Sequence, residues 1–195
     1  MAIITDKTIF YHVPKTGGSW VTAILNRLGL VKRRTEAIHD LPDLSNEWEN
    51  EKFRFCFVRH PLTFYRSYWR FKIQIGWDQN SEFDISCKRD NFADFIKAIG
   101  EKYPNGWLND LFKKYTPFVH FVGRQEYLRE DLIKALHRSG EEFDITIIAS
   151  RSPINVSIGP PTYYTKQLID IVMDVEKETI KHFNYDYIPI SISDN

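Results

Sequence analysis

The chain has 195 residues, of which 43% are apolar and 15% aromatic, so it can bury a core of its own and is not a disordered chain. Its 26 basic side chains balance 26 acidic ones, which excludes the basic excess expected for non-specific binding to nucleic acid or to an anionic membrane. The sequence contains no secretory signal pattern and no apolar run of membrane-spanning length. We therefore expect one cytoplasmic domain over residues 1–195, with no nucleic-acid or membrane partner.

Strand and helix patterns alternate along the chain. Three runs rich in β-branched and aromatic residues are predicted strands: 8–13, 53–58 and 118–122. Apolar residues at helical spacing predict four helices: 19–28, 63–75, 127–139 and 168–183. The stretch 31–52 reads as loop, the polar stretch 76–90 as an inserted loop, and the run 143–148 fits either a helix or a strand. The alternation predicts an α/β fold, with a central, mostly parallel sheet flanked by helices and ligands at the carboxyl ends of the strands.

A glycine-containing loop, PKTGGS at residues 14–19, joins the first predicted strand to the first predicted helix. A helix N-terminus offers backbone N–H groups and the positive end of the helix dipole, so it binds anions. The glycines allow close approach of the backbone, and Thr16 and Ser19 add hydroxyl donors. The P-loop of nucleotide triphosphatases reads G-x-x-x-x-G-K-[ST], whereas Lys15 precedes both glycines here. The order disfavours a standard triphosphatase and indicates a P-loop-like phosphate-binding loop.

Two sequence motifs carry a resemblance to a known family. HVPKTGGSW, residues 12–20, resembles the 5′-phosphosulfate loop of sulfotransferases that use 3′-phosphoadenosine 5′-phosphosulfate (PAPS). FCFVRHPLTFYRSYWRF, residues 55–71, resembles the 3′-phosphate site of that family, in which a strand-end arginine precedes a helical serine by eight residues, as Arg59 precedes Ser67. The segments 121–132 and 154–187 are similar to further parts of the same family.

The resemblance implies a set of cofactor-binding residues: Pro14, Lys15, Thr16, Gly17, Gly18, Ser19, Trp20, Arg59, Ser67 and Arg124. A forked guanidinium such as that of Arg59 can grip a doubly charged 3′-phosphate, and Ser67, two turns along the next helix, can add a hydroxyl. The alternative is that Arg59 is a solvated strand-end residue and Ser67 a helix surface residue. Asn155 and Ser157 also match a segment near the cofactor in the family.

Sulfuryl transfer, by analogy with phosphoryl transfer, needs positioning, charge stabilisation and a base for the acceptor hydroxyl, but no metal. The resemblance implies that Lys15 stabilises the negative charge that builds on the bridging oxygen of the leaving nucleotide. His39 follows the first helix, and an unperturbed imidazole titrates near neutral pH, so His39 is the predicted base. Asp40 and Glu36 are rivals, and a surface histidine without a role is the alternative for His39.

Several other residues have structural interpretations. His12 is expected to shape the loop, His60 to have a structural role only, and His120, inside an apolar run, to be a core histidine. Cys56 reads as a buried free thiol rather than a nucleophile. A group of aromatic residues could line an acceptor pocket or stack on an adenine, but its helical spacing favours the core: Phe64, Tyr65, Tyr68, Trp69, Phe71 and Trp77.

Together these features predict a PAPS-dependent sulfotransferase that modifies a hydroxyl or amine of a small-molecule or carbohydrate acceptor and releases adenosine 3′,5′-bisphosphate. PAPS is the expected cosubstrate, without a metal. The enzymatic alternative is a kinase with an atypical phosphate loop, which would require magnesium and ATP. The non-enzymatic alternative is an inactive nucleotide-binding module. No pattern in the sequence indicates the acceptor or the oligomeric state.

Overall fold

The computed structural model describes residues 2–36, 51–152 and 160–190. The chain forms two compact units, the first comprising residues 1–59 with 112–156 and the second residues 60–111 with 157–195. The expectation of a single domain stays a prediction.

The strands that the structure describes lie in the first unit and form one sheet. They are β1 (Ala2–Ile4), β2 (Thr8–Tyr11), β3 (Arg33–Arg34), β4 (Phe53–Val58) and β5 (Phe121–Arg124). Their order across the sheet is β3-β1-β2-β4-β5. The strand β4 pairs in parallel with both β2 and β5, whereas β1 is antiparallel to both β2 and β3. The α/β class is confirmed, but the sheet is mixed rather than mostly parallel.

The antiparallel part of the sheet arises from a tight turn near the N-terminus. The amide of Thr5 donates to the carbonyl of Thr8 at 2.9 Å and so closes the turn between β1 and β2. Strands joined by so short a connection pair in antiparallel. The strand β1 is too short for a periodic pattern, and β3 lies within the predicted loop 31–52, so the sequence predicts neither.

The α-helices of the described residues are α1 (Gly18–Arg27), α2 (Pro61–Ile75), α3 (Glu82–Cys87), α4 (Phe92–Lys102), α5 (Leu108–Lys113), α6 (Leu128–Ser139), α7 (Ile145–Ser150), α8 (Lys166–Val175) and α9 (Lys177–Phe183). The predicted helices 19–28, 63–75 and 127–139 are confirmed within two residues. The ambiguous run 143–148 is helical. Three predictions are corrected: 76–90 contains α3, the strand in 118–122 begins only at Phe121, and 168–183 is divided between α8 and α9.

The hydrophobic core of the first unit lies between one face of the sheet and the helices α1, α6 and α7. It consists of Ile3, Phe10, Trp20, Val21, Ile24, Leu25, Phe55, Phe57, Leu132, Ala135, Leu136 and Ile148. Burial of each large apolar side chain contributes about 1.5–3 kcal/mol. This packing holds the start of α1 close to the end of β2, so the connecting loop joins two fixed elements.

The second unit has an aromatic core. Four of the aromatic residues assigned to the core from their spacing are buried: Phe64, Tyr65, Tyr68 and Trp69. The other two, Phe71 and Trp77, are partly exposed. The ring of Phe83 stacks on Trp107 with 3.8 Å between centroids, so residues from α3 and from the turn before α5 complete the cluster. The core interpretation is therefore confirmed for the four buried side chains.

A buried carboxylate lies at the residue that divides the predicted C-terminal helix. Glu176, between α8 and α9, is fully buried and accepts hydrogen bonds from the amides of Trp107 at 2.9 Å and Leu108 at 3.0 Å. It also accepts from the hydroxyls of Tyr65 and Thr179. A buried carboxylate must be compensated by such donors, so Glu176 fixes the turn before α5 against the two C-terminal helices.

Candidate active site

The loop between β2 and α1 has an unusual backbone. Lys15 has a φ of 61° and Gly17 a φ of 90°, both in the left-handed region. Gly17 is the N-cap of α1 and forms no side-chain cap, while its carbonyl already accepts from the amide of Trp20 at 3.0 Å. The amides of Gly18 and Ser19 therefore open α1 without a capping side chain at residue 17. This is the arrangement that binds an anion at a helix N-terminus.

The two glycines are required by their neighbours as well as by the backbone. A Cβ atom at Gly18 would lie 2.0 Å from Cδ2 of His12, and one at Gly17 would lie 2.6 Å from Cδ2 of Leu128. Real Cβ atoms do not approach other atoms so closely, so His12 and Leu128 line the inner side of the loop in van der Waals contact. His12 thus shapes the loop, as the sequence predicts.

The side chains of Thr16, Ser19 and Trp20 lie in different environments. The hydroxyl of Thr16 is buried and donates to the carbonyl of Val13 at 2.9 Å, so in this structure it stabilises the loop rather than facing solvent. Ser19 is exposed and keeps its hydroxyl at the opening turn of α1. Trp20 is buried in the core, where its Nε1 donates to the carbonyl of Ser152 at 3.2 Å. The cofactor contacts of these residues stay predictions.

Arg59 contacts the loop directly. It follows the last residue of β4, and its Nη1 donates to the carbonyl of Lys15 at 3.0 Å. A left-handed conformation costs a residue other than glycine about 1–2 kcal/mol, so it persists only where neighbouring groups fix it. The guanidinium of Arg59 is one group that holds the Lys15 peptide, which a solvated strand-end arginine would not do.

The carboxyl ends of three parallel strands bring the predicted first-unit residues to one edge of the sheet. Tyr11 at the end of β2 is in register with Cys56, and Arg124 at the end of β5 is in register with Val58. The amide of Arg124 donates to the Asp131 carboxylate at 2.8 Å, which fixes the start of the segment after β5. The loop, Arg59 and Arg124 thus all follow or end strands at the same edge, where ligands bind in open α/β sheets.

Ser67 belongs to the second unit, on α2, where it is only 7% exposed. The N-terminus of α2 is capped by the fully buried His60, whose Nδ1 accepts from the amide of Leu62 at 3.2 Å. With Nδ1 as acceptor, Nε2 donates to the carbonyl of Tyr187 at 2.8 Å. The structural role of His60 is therefore confirmed, and the contact of Ser67 with a 3′-phosphate stays a prediction.

The predicted base lies outside the described residues. His39 and its rival Asp40 fall in the stretch 37–50, and Asn155 and Ser157 fall in 153–159. Glu36 is described and is exposed at the end of the segment after β3. The choice among the three candidate bases stays a prediction.

Two further interpretations have clear outcomes. His120 is exposed and precedes β5, with its Nδ1 accepting from the amide of Arg54 at 2.9 Å, so the expectation of a core histidine is wrong. The reason is that the strand begins only at Phe121, three residues later than the apolar pattern suggests. Cys56 is a fully buried free thiol, as expected, and burial raises its pKa far above the ordinary value, which makes it unreactive.

Two contacts in the site escape the motif analysis. The bond between Arg59 and Lys15 joins residues 44 positions apart, and Leu128 meets Gly17 from α6. Neither partner is adjacent in sequence, although the pairing of β2 with β4 would have indicated that their following residues are neighbours. The sequence motifs alone do not give the order of the strands, which is the information needed to predict the contact between Arg59 and Lys15.

Two other kinds of feature are absent from the described ranges. These residues hold no group of three or more histidine, cysteine, aspartate or glutamate side chains able to bind a metal ion together. None of their helices is both long and apolar enough to cross a membrane.

Comparison with known proteins supports the sequence motifs. The model of the sulfotransferase family matches residues 4–144, more than half of the chain. No curated protein and no solved structure matches the chain. The matched range includes the loop at the start of α1, Arg59 at the end of β4 and Arg124 at the end of β5. The chain belongs to the sulfotransferase family.

Proposed function

We propose that this protein is a PAPS-dependent sulfotransferase that transfers a sulfuryl group to a hydroxyl or amine of an acceptor. The observation that carries the proposal is the loop at residues 14–19, which has an uncapped helix N-terminus and a lysine whose carbonyl is held by Arg59. Membership of the sulfotransferase family supports the reaction class. The donor nucleotide, the acceptor and the cytoplasmic location belong to the proposal.

The loop fits an anionic group such as the 5′-phosphosulfate of PAPS. The backbone amides of Gly18 and Ser19 provide donors, and the dipole of α1 favours negative charge. The absence of side chains at Gly17 and Gly18 accommodates Leu128 and His12 on the inner side of the loop, and the oxyanion is proposed to approach the amides from the other side. The hydroxyl of Ser19 is exposed beside them.

The proposed reaction is a single in-line displacement. The acceptor oxygen or nitrogen attacks the sulfur while the bond from sulfur to the bridging oxygen breaks, and the bond's electron pair leaves with adenosine 3′,5′-bisphosphate. The acceptor proton passes to a base on the protein. The ammonium group of Lys15 would meet the negative charge that develops on the bridging oxygen, which is stabilisation used mainly in the transition state.

His39 is the proposed base, and its role can be tested by substitution. Replacement by alanine should lower turnover by about a hundred to ten thousandfold, because general-base catalysis acts on the transition state. Affinity for adenosine 3′,5′-bisphosphate should stay unchanged. Glu36→Ala and Asp40→Ala are matched controls. Normal turnover in His39→Ala, with loss in either control variant, would transfer the role to that carboxylate.

Binding of the nucleotide product tests the proposal without an acceptor. Adenosine 3′,5′-bisphosphate should raise the melting temperature more than adenosine 5′-monophosphate, since Arg59 is proposed to contact the 3′-phosphate. At 100 times the dissociation constant the stabilisation should be about 2.7 kcal/mol. Arg59→Ala should remove most of the difference between the two nucleotides. Equal shifts for both nucleotides in the wild type would eliminate the assignment of Arg59.

The metal requirement separates this proposal from a kinase. Transfer from PAPS should survive EDTA, because Lys15 and the loop amides are proposed to supply the charge stabilisation. A strict requirement for magnesium, together with turnover of ATP, would instead support the kinase alternative.

A further inference from the structure

The helix α2 carries two arginines whose charges the described chain does not balance. Arg66 and Arg70 lie four residues apart, so their side chains share one face of the helix, and both are partly buried. Like charges at this spacing repel each other and destabilise a helix. Such a pair therefore needs an explanation beyond helix formation.

The third cation on α2, Lys72, differs from the two arginines because it has a carboxylate partner. Lys72 forms an ion pair with Asp84, a fully buried carboxylate that also accepts from the hydroxyl of Tyr68 at 2.6 Å. In the described part of the chain no carboxylate contacts Arg66 or Arg70. The Nε of Arg70 is buried and has no hydrogen-bond partner there. An unsatisfied buried N–H group is costly, which points to a missing acceptor.

Electrostatics support the same conclusion. Partial burial, together with the positive charge of Arg66, lowers the pKa of Arg70 below its ordinary value. Two forked guanidinium groups match the donors that a tetrahedral oxyanion requires.

We infer that Arg66 and Arg70 form a binding site for a phosphate or sulfate group on the polar face of α2. The occupant is a phosphate or sulfate group of the donor nucleotide or an anionic group on the acceptor. This identification of the occupant rests on the proposed function, whereas the existence of the site does not. Lysine would serve less well, because a guanidinium can donate two parallel hydrogen bonds to one oxyanion.

Inorganic phosphate is the probe for the site. The melting temperature is measured in phosphate and in chloride at equal ionic strength, first alone and then with saturating adenosine 5′-monophosphate to occupy the loop. The wild type should gain stability in phosphate under both conditions. Arg66→Gln and Arg70→Met should each lose most of this phosphate-dependent gain, and Arg27→Gln, an exposed arginine on α1, should keep it.

A structural role would give a different pattern. If the arginines only support the fold, their variants should lose as much stability in chloride as in phosphate, and that result would overturn the inference. No phosphate-dependent gain in the wild type, or an undiminished gain in Arg66→Gln, would also overturn it. Arg70→Met retains the apolar stem, and Arg66→Gln gives a second answer if Arg70→Met fails to fold.

A competition experiment identifies the occupant. Loss of the phosphate-dependent gain in the presence of adenosine 3′,5′-bisphosphate, but not of the monophosphate, would assign the site to the 3′-phosphate. Retention with both nucleotides would assign it to an anionic group on the acceptor. If neither nucleotide stabilises the protein, the proposed function fails, while the phosphate titration without nucleotide still tests the arginine pair.

Discussion

The loop at the start of α1 and the aromatic core around α2 to α5 use their side chains in opposite ways. In the loop, contacts hold the backbone in a left-handed conformation at Lys15 and exclude any side chain at Gly18. In the aromatic core, side chains such as Phe83 fill space, and buried carboxylates such as Glu176 accept the remaining hydrogen bonds. The loop leaves the start of α1 without a capping side chain at residue 17, whereas the core pairs its buried donors with acceptors such as Glu176.

Both regions allow a functional interpretation in sequence, and the structure treats the two differently. Aromatic residues at helical spacing suit an acceptor pocket as well as a core, and burial assigns most of them to the core. Glycines after a strand suit a turn as well as an anion site. Here the positive φ angles and the uncapped helix favour the anion site.

Removal of an aromatic ring from the core should give the largest effect. Phe83→Ala is expected to lower the free energy of unfolding by about 3–5 kcal/mol, because Phe83 is buried and stacks on Trp107. Ile85→Ala, on the same helix but exposed, should change it by no more than about 0.5 kcal/mol. Chemical denaturation measures both. Equal, small losses would mean that the aromatic cluster is not a core.

Loss of the loop lysine should affect turnover rather than stability. Lys15→Ala is expected to lower turnover about a hundredfold or more, the effect of removing one preorganised transition-state donor. The control Lys177→Ala, an exposed lysine on α9, should leave turnover unchanged. Transfer from radiolabelled PAPS to an accepted substrate measures both variants. A normal rate in Lys15→Ala would remove the lysine from the mechanism.

The substitution Gly18→Ala, which adds a methyl group to the loop, should lower the free energy of unfolding by an intermediate amount. In Gly18→Ala the new Cβ would lie 2.0 Å from the imidazole of His12, and such overpacking costs about 1–3 kcal/mol. His12→Ala creates space, so the double variant should recover part of the lost stability and nucleotide binding. A double-mutant cycle by thermal unfolding measures the coupling. If the stability losses of the two single variants simply add in the double variant, His12 is not the group that excludes a side chain at residue 18.

The smallest expected effect concerns His120 and the acid stability of the sheet. Partial burial and the positive charges of Arg54 and Arg138 lower the pKa of His120 below its ordinary value of about 6.5. The unfolded chain therefore binds a proton more readily, so the contribution of His120 is present above pH of about 6.5 and is lost as the pH falls below it.

Thermal unfolding across this pH range tests the prediction. His120→Gln should reduce the loss of stability between pH of about 7 and about 5, because the titrating group is gone. His182→Gln, at the exposed surface of α9, serves as the control. An unchanged pH dependence in His120→Gln would show that burial and the two arginines do not lower the pKa of His120 enough to affect stability.

Much of the first unit could be predicted from sequence because β-rich runs end at clear signals. The runs 8–13 and 53–58 each precede a proline within three residues and form β2 and β4. The short elements could not be predicted. The helix α3 spans only six residues inside a polar stretch, and its Ser81 cap and buried Phe83 become meaningful only once the core is known.

The candidate site was also predicted only in part from the sequence. The motif identified the loop and Arg59 by residue type and spacing, which are local properties. The contact of Arg59 with the Lys15 carbonyl depends on parallel pairing of β2 with β4, a tertiary property. The hydrogen bonds of Glu176 with the amides of Trp107 and Leu108 likewise join residues that are distant in sequence.

Calorimetric titration with adenosine 3′,5′-bisphosphate and with ATP tests the central claim most directly. The account predicts that the bisphosphate binds with or without magnesium, that it binds more tightly than ATP, and that Lys15→Ala and Arg59→Ala both weaken it. Tighter binding of ATP with magnesium, or bisphosphate binding that neither substitution changes, would contradict the claim that this loop is the donor site of a PAPS-dependent sulfotransferase.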